Sequence, residues 1–273
     1  MKKKKPILSI VLISVVAIIF ITPLVYMVST SFKPKDEVLQ NTAALIGSYL
    51  DWSNYSRAWN AFPFGRYLFN SIFIGVATTA LTLVTSAMAA YAFARLRFRG
   101  RDKLFFAYLA TLMIPLQVTI IPLYIILRVL GWHDTYAALI IPPAFTAFGV
   151  FMLRQFFLSI PMEIEEAARI DGCGRFRIFS MIILPMSKPG LGALAIFTFV
   201  NSWKSFFWPL IVTASDELKT LPLGLYTFSG QYGTDWSALM AATGISIIPG
   251  VIFYVIFQKS LVQGIALSGM GGR

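Results

Sequence analysis

Long uncharged apolar runs, interrupted by short polar stretches, dominate the chain. A helix needs about 20 predominantly apolar residues to cross the hydrocarbon core of a bilayer. Six segments meet that requirement, at about 7–29, 68–94, 104–127, 137–157, 190–213 and 238–258. The fourth holds Pro142 and Pro143 in "IIPPAF", and neighbouring helices in a membrane can absorb such a proline kink. The pattern predicts an all-α polytopic membrane protein with six transmembrane helices. It reads as a single domain over 1–273, without internal repeats or a separate soluble part.

Composition agrees. Hydrophobic residues make up 57% of the chain and charged ones only 13%, against about 25% in soluble domains. The net charge of +11 would suggest nucleic acid in a soluble protein. Here the basic residues flank apolar runs, so the partner they imply is the lipid bilayer and no nucleic acid is expected. The basic start and apolar run resemble a signal peptide. However, the run continues uncharged from Pro6 to Phe32 with no A-x-A-like site after it, so a retained first span is expected.

Sixteen of the 23 Lys and Arg fall on one side if the N-terminus, the 95–103 loop, the 154–189 loop and the C-terminus share that side. The positive-inside rule then places both termini in the cytoplasm. All twelve acidic residues fall in loops. Ion-coupled carriers usually need an acid within the membrane, so the energy for any transport is expected from elsewhere. The chain holds no G-x-x-x-x-G-K-[ST] phosphate loop. It offers no array of nucleophile, base and acid either; the lone His133 reads as a turn residue and the lone Cys173 as a small buried one. No catalysis, metal site or cofactor is expected in this chain.

The densest charge cluster lies between two apolar spans, in "EIEEAARIDGCGRFRIFSMIILP" (Glu163–Pro185). Ser159 and Pro161 suit a helix start. Ile160, Ile164, Ala167, Ala168 and Ile170 or Asp171 recur near helical spacing. Glu163 and Glu166 stand one turn apart, and Glu165 precedes Arg169 by four residues, the favourable order for a pair. Gly172 and Gly174 break the helix, and a second apolar stretch runs back to Pro185. Three glutamates face an anionic leaflet unfavourably, so a plug for a groove in a partner protein fits better than a helix lying on lipid.

This stretch resembles the cytoplasmic signature of binding-protein-dependent ABC importer permeases: E-A-A, three residues, G, nine residues, I, one residue, L-P. The matching positions are Glu166, Ala167, Ala168, Gly172, Ile182, Leu184 and Pro185. "NYSRAW", "RYLFNSI", "AYAFARLRFRGRDKLF", "MIPLQVTIIPLY", "NSWKSFFWPLIVT" and "TLPLGLYTF" resemble the carbohydrate-uptake branch, in particular the six-span subunit of the maltose permease type. The resemblance implies a type I ABC importer permease fold with the 158–189 loop as coupling loop. Glu163 and Asp171 join the signature residues as ATPase-coupling candidates. It implies a second permease as heterodimer partner, two copies of an ATPase subunit that carries the ATP and magnesium, and an extracytoplasmic solute-binding protein. The expected location is the bacterial inner membrane.

The fifth span contributes Trp203, Lys204 and Phe207 as substrate-pathway candidates. Aromatic faces suit sugar rings, and Lys204 lies too deep in a 190–213 helix for easy snorkelling. Asparagine is more usual after this tryptophan in the family. In the outer 214–237 loop, Gly230, Gln231, Tyr232, Gly233 and Asp235 are candidates for contact with the binding protein. The "LVQGIALSGMGGR" end resembles the family's glycine-rich tail, which implies a further ATPase contact. The function so implied is the permease subunit of an ATP-driven importer for a sugar or oligosaccharide, working by alternating access. Open alternatives are the same architecture importing a glycerol phosphodiester, glycerol phosphate or amino acid, an ATP-independent secondary carrier, and a membrane enzyme.

Overall fold

The computed structural model describes residues 7–230 and 233–270 of the chain. Helices account for nearly all of its regular structure. The exception among the described residues is a two-stranded antiparallel pair, Ser229–Gly230 with Gly233–Thr234. Three helices are long and apolar enough to cross a membrane alone: α1 (Ile7–Ser31), α2 (Phe64–Arg95) and α11 (Trp236–Met270).

Three bent helix pairs also pass the length and hydropathy test when each is taken together, as a broken span or a re-entrant loop. α3 (Arg101–Ala110) and a short 3₁₀ turn meet α4 (Leu116–Val129) at 102°, α5 (Tyr136–Ala144) meets α6 (Ala147–Ser159) at 43°, and the helical stretch α8 (Arg175–Met186) meets α9 (Lys188–Trp203) at 76°. Six spans result when each pair counts as one.

Two of the interruptions have a local cause. Between α3 and α4, Ile114 is held extended (φ −86°, ψ 114°) ahead of Pro115, as the clash of a proline ring with the preceding residue requires. α8 contains a π-helical turn over Phe179–Ile183. The continuous helix expected over 190–213 is interrupted. α9 ends at Trp203 and α10 (Phe207–Val212) starts again with Pro209 in its first turn, where the missing N–H costs nothing.

The chain forms two compact units: residues 1–68 with 221–248, and residues 69–220 with 249–273. In the first, the connection after α1 is tied down by polar groups. Lys33 is 1% exposed and its ammonium donates to the carbonyls of Ala44 and Asn41, beside the Tyr26 ring. The buried Asn54 amide donates to the carbonyls of Ser31 and Lys33, both at 2.9 Å.

In the second unit, one apolar cluster joins Ala87, Ala90 and Tyr91 of α2, Phe105 of α3, Val150, Leu153 and Phe157 of α6, Ala168, Ile178, Phe179, Ile183 and Leu194. Close approach rests on small residues; a Cβ on Gly190 of α9 would sit 2.7 Å from the Phe156 ring of α6. A second cluster joins Ile74, Ile120, Leu127, Leu139, Trp208 and Val212. Pro142 leaves the carbonyl of Ala138 without its helical donor. The Trp208 indole N–H takes that carbonyl at 3.1 Å and fastens α10 to α5.

Candidate coupling surface

The 158–189 loop is a helical hairpin. Its first arm is α7 (Met162–Ile170), with Glu163 and Glu165 in the first turn and Arg169 in the last, the order that suits a helix dipole. The turn closes in three hydrogen bonds: Asp171 N–H to Ala167 O, Gly172 N–H to Arg169 O, and Cys173 N–H to Ala168 O, at 3.1, 3.0 and 2.9 Å. Gly172 sits at φ +81°, where side-chain-bearing residues are strained. α8 forms the returning arm.

The inner face of α7 carries a buried charge. Glu165 is fully buried, and its Oε1 lies 2.9 Å from Nε of Arg95, itself 7% exposed, at the last position of α2. The approach is oblique, so the contact is an ion pair rather than a hydrogen bond. The second carboxylate oxygen stands 3.5 Å from the Tyr91 hydroxyl and 3.8 Å from Arg169. The Arg95 fork also donates to the carbonyls of Phe157 and Ile160, at the end of α6, and its Nη1 lies 3.2 Å from the Met162 sulfur. One guanidinium thus caps the C-terminus of α6 and neutralises the N-terminal carboxylate of α7. The ends of α2 and α6 and the start of α7 are bolted together.

The outer face is open. Glu163, Glu166, Ala167 and Ile170 follow one another at three- and four-residue spacing and are all exposed. Ile170 is 87% exposed, and beyond the turn Phe176 is 78% exposed. Both are large apolar side chains on an otherwise charged hairpin. Of the sequence candidates, Glu163, Glu166, Ala167, Asp171, Gly172 and Pro185 lie exposed, whereas Ala168 is buried and Ile182 and Leu184 pack against the inner cluster. The residues missed by sequence reasoning are Arg95, which reads there as one of many loop cations, and Ile170 and Phe176. Only the spacing of Ile170 from Glu163 and Glu166 carried a signal.

The other candidates sit elsewhere. Trp203 is half-buried and stacks on Phe199 (centroids 5.8 Å apart), which stacks on Phe253 at 3.8 Å. Lys204 is exposed at the helix break, as the C-cap of α9, and not in mid-helix. Phe207 is exposed. Gln231 and Tyr232 lie outside the described residues, as do the first six and last three residues of the chain. Gly230 and Gly233 pair across the two short strands. Asp235 accepts from the N–H of Ala238 at 3.1 Å at the start of α11 and pairs with Lys35 and Arg57, both at 3.5 Å. His133 meets Tyr124 edge-on.

Residues 83–267 match the profile of the family described as binding-protein-dependent transport system inner membrane component. The Arabinooligosaccharides transport system permease protein AraQ of Halalkalibacterium halodurans is 36% identical, with 99% of each chain covered. The Sulfoquinovosyl glycerol transport system permease protein SmoH of Agrobacterium fabrum is 33% identical, covering 92% of this chain and 88% of its own length. Among solved structures, a chain of a bacterial ABC transporter involved in the import of the acidic polysaccharide alginate superposes with a TM-score of 0.83. Its identity is 26%, and 93% of this chain and 95% of that one are covered.

Proposed function

We propose that this chain, which belongs to the family of binding-protein-dependent transport system inner membrane components, is the permease subunit of an ATP-driven importer for a sugar or oligosaccharide. The single observation that carries the reading is the two-faced hairpin. Its inner face is held to two spans by the Arg95–Glu165 pair, and its outer face presents Glu163, Glu166, Ala167 and Ile170 with nothing covering them.

On this reading an ATPase subunit, holding ATP and magnesium, receives that outer face. ATP-driven closure pulls α7, and the buried guanidinium passes the displacement to the ends of α2 and α6. Spans so driven alternate between outward and inward access. A second permease completes the pathway, two ATPase copies drive it, and an extracytoplasmic binding protein delivers the solute. Both termini lie in the cytoplasm, as the basic loops favour. Trp203, Lys204 and Phe207 flank the break between α9 and α10 and belong to the pathway or its border with the second permease. The 230–235 tip contacts the binding protein. The sugar class is supported by relatives whose names give arabinooligosaccharides and sulfoquinovosyl glycerol.

The test is purification from the native membrane in mild detergent, with uptake measured after reconstitution. Co-purification of an ATPase and a second permease, with uptake that requires ATP, is the expected result. A chain that emerges alone and transports on an ion gradient would overturn the reading.

A further inference from the structure

A cavity of about 320 Å³ lies wholly within the second unit, between α2, α4, α5, α6, α9 and α10. That is the low end of the volume range of small-molecule sites, about 300–1,000 Å³. Eight of its eighteen lining residues carry a hydroxyl or an amide, and none carries a charge.

The polar groups share one helical face. Thr198, Asn201, Ser202 and Ser205 recur at three- and four-residue spacing on α9 and just past its end, while Trp203, Lys204 and Phe207 fall off that stripe and do not line the cavity. Two of the hydroxyls stand out. Thr78 is 2% exposed and Thr220 is 4% exposed, both line the cavity, and neither Oγ1 has a hydrogen-bond partner. A buried hydroxyl without a partner is destabilising, so two on one cavity mark a place where a ligand supplies the missing bonds. Trp208 adds a ring whose N–H is already spent on Ala138, leaving its apolar surface for C–H groups.

We infer that this cavity binds an uncharged sugar ring during transport. The inference rests on the importer reading above and adds a substrate class to it. Hydroxyls and one amide both donate and accept, as sugar hydroxyls do. A carboxylate, sulfonate or phosphate taken out of water needs a cation or several donors fixed on it, and no cation lines the cavity.

The experiment uses the complete importer in nanodiscs with its binding protein. Ser202→Cys serves as the reporter and Cys173→Ala removes the other thiol; Ser205→Cys is the second reporter should the first not assemble. Arabinotriose, diacetylchitobiose, maltotriose and an alginate trisaccharide are first tested for ATP-driven uptake by the unmodified importer. Alkylation of the reporter by N-ethylmaleimide is then timed with each. A transported neutral sugar at about ten times its Kd is expected to slow alkylation about tenfold. A neutral sugar that is transported without slowing alkylation overturns the site and leaves the importer reading standing. Transport of the alginate trisaccharide, or protection by it, overturns the uncharged class. If none of the four is transported, the sugar reading fails and this inference fails with it.

Discussion

Arg95 and Glu165 meet 2.9 Å apart in a site where the first is 7% and the second 0% exposed. Taking one partner from a buried pair leaves an uncompensated charge, at a cost of about 3–5 kcal/mol. Arg95→Ala should therefore lower stability by about that much, since it also frees the Phe157 and Ile160 carbonyls. Adding Glu165→Gln should recover part of the loss, because no anion is then stranded. Thermal unfolding in detergent of the wild type, both single variants and the double variant gives the coupling.

Glu166 shares the exposed face with Glu163 and Ala167, and no ion pair is recorded for it among the described residues. Glu166→Lys should leave unfolding within about 0.5 kcal/mol of wild type, as exposed substitutions usually do. ATP-driven uptake should be abolished by the reversed charge. Insertion, stability and transport are measured on the same preparation; retained uptake would count against docking on this face.

Gly172 makes the turn at φ +81°, and a Cβ there would meet nothing within 4 Å. Gly172→Ala therefore changes backbone energy alone. The left-handed conformation costs about 1–2 kcal/mol for a residue with a side chain. The loss should appear as faster proteolysis at the hairpin turn and slower uptake, with the rest of the fold intact.

Asp134 ties two loops together. Its carboxylate accepts from the N–H groups of Ala214 and Ser215, at 2.8 and 3.1 Å, and from the Ser215 hydroxyl. The Ala214 bond is the largest of the effects that hold this carboxyl below its ordinary value. A depressed folded-state pKa gives stability that is present above the unfolded value of about 3.9 and lost as pH falls through the folded one. Cleavage of the 213–220 segment by an acid-tolerant protease should rise only below about pH 4. In Asp134→Ala, which removes the acceptor, it should be high at neutral pH and nearly flat with pH.

Hydropathy made the spans legible because a bilayer imposes length and apolarity on every crossing. The hairpin was legible too: glycine fixes its turn, and the carboxylates suit the start of α7. Of the breaks, the one after Pro142 and Pro143 was anticipated as a kink and bends by 43°; the others were not. Pro115 and Pro209 were visible in the sequence, but a proline inside an apolar run can kink, end or restart a helix according to what packs beside it. The expectation of a continuous 190–213 helix placed Lys204 mid-span; the structure puts it at a helix end. Arg95 escaped notice because its partner lies 70 positions away, and no local spacing connects residue 95 to residue 165. The cavity stripe at Thr198, Asn201 and Ser205 has helical period. The large aromatic and basic neighbours drew attention to the opposite face.

The docking claim is tested most directly by a photo-crosslinking residue placed at Ile170, 87% exposed on the outer face of α7, with the same residue at Val118, 67% exposed on α4, as reference. After illumination of native membranes, the Ile170 position should give an adduct whose mass and peptides identify an ATPase subunit, and the Val118 position should not. Adducts from Ile170 to lipid alone, with uptake still driven by ATP, would contradict the account.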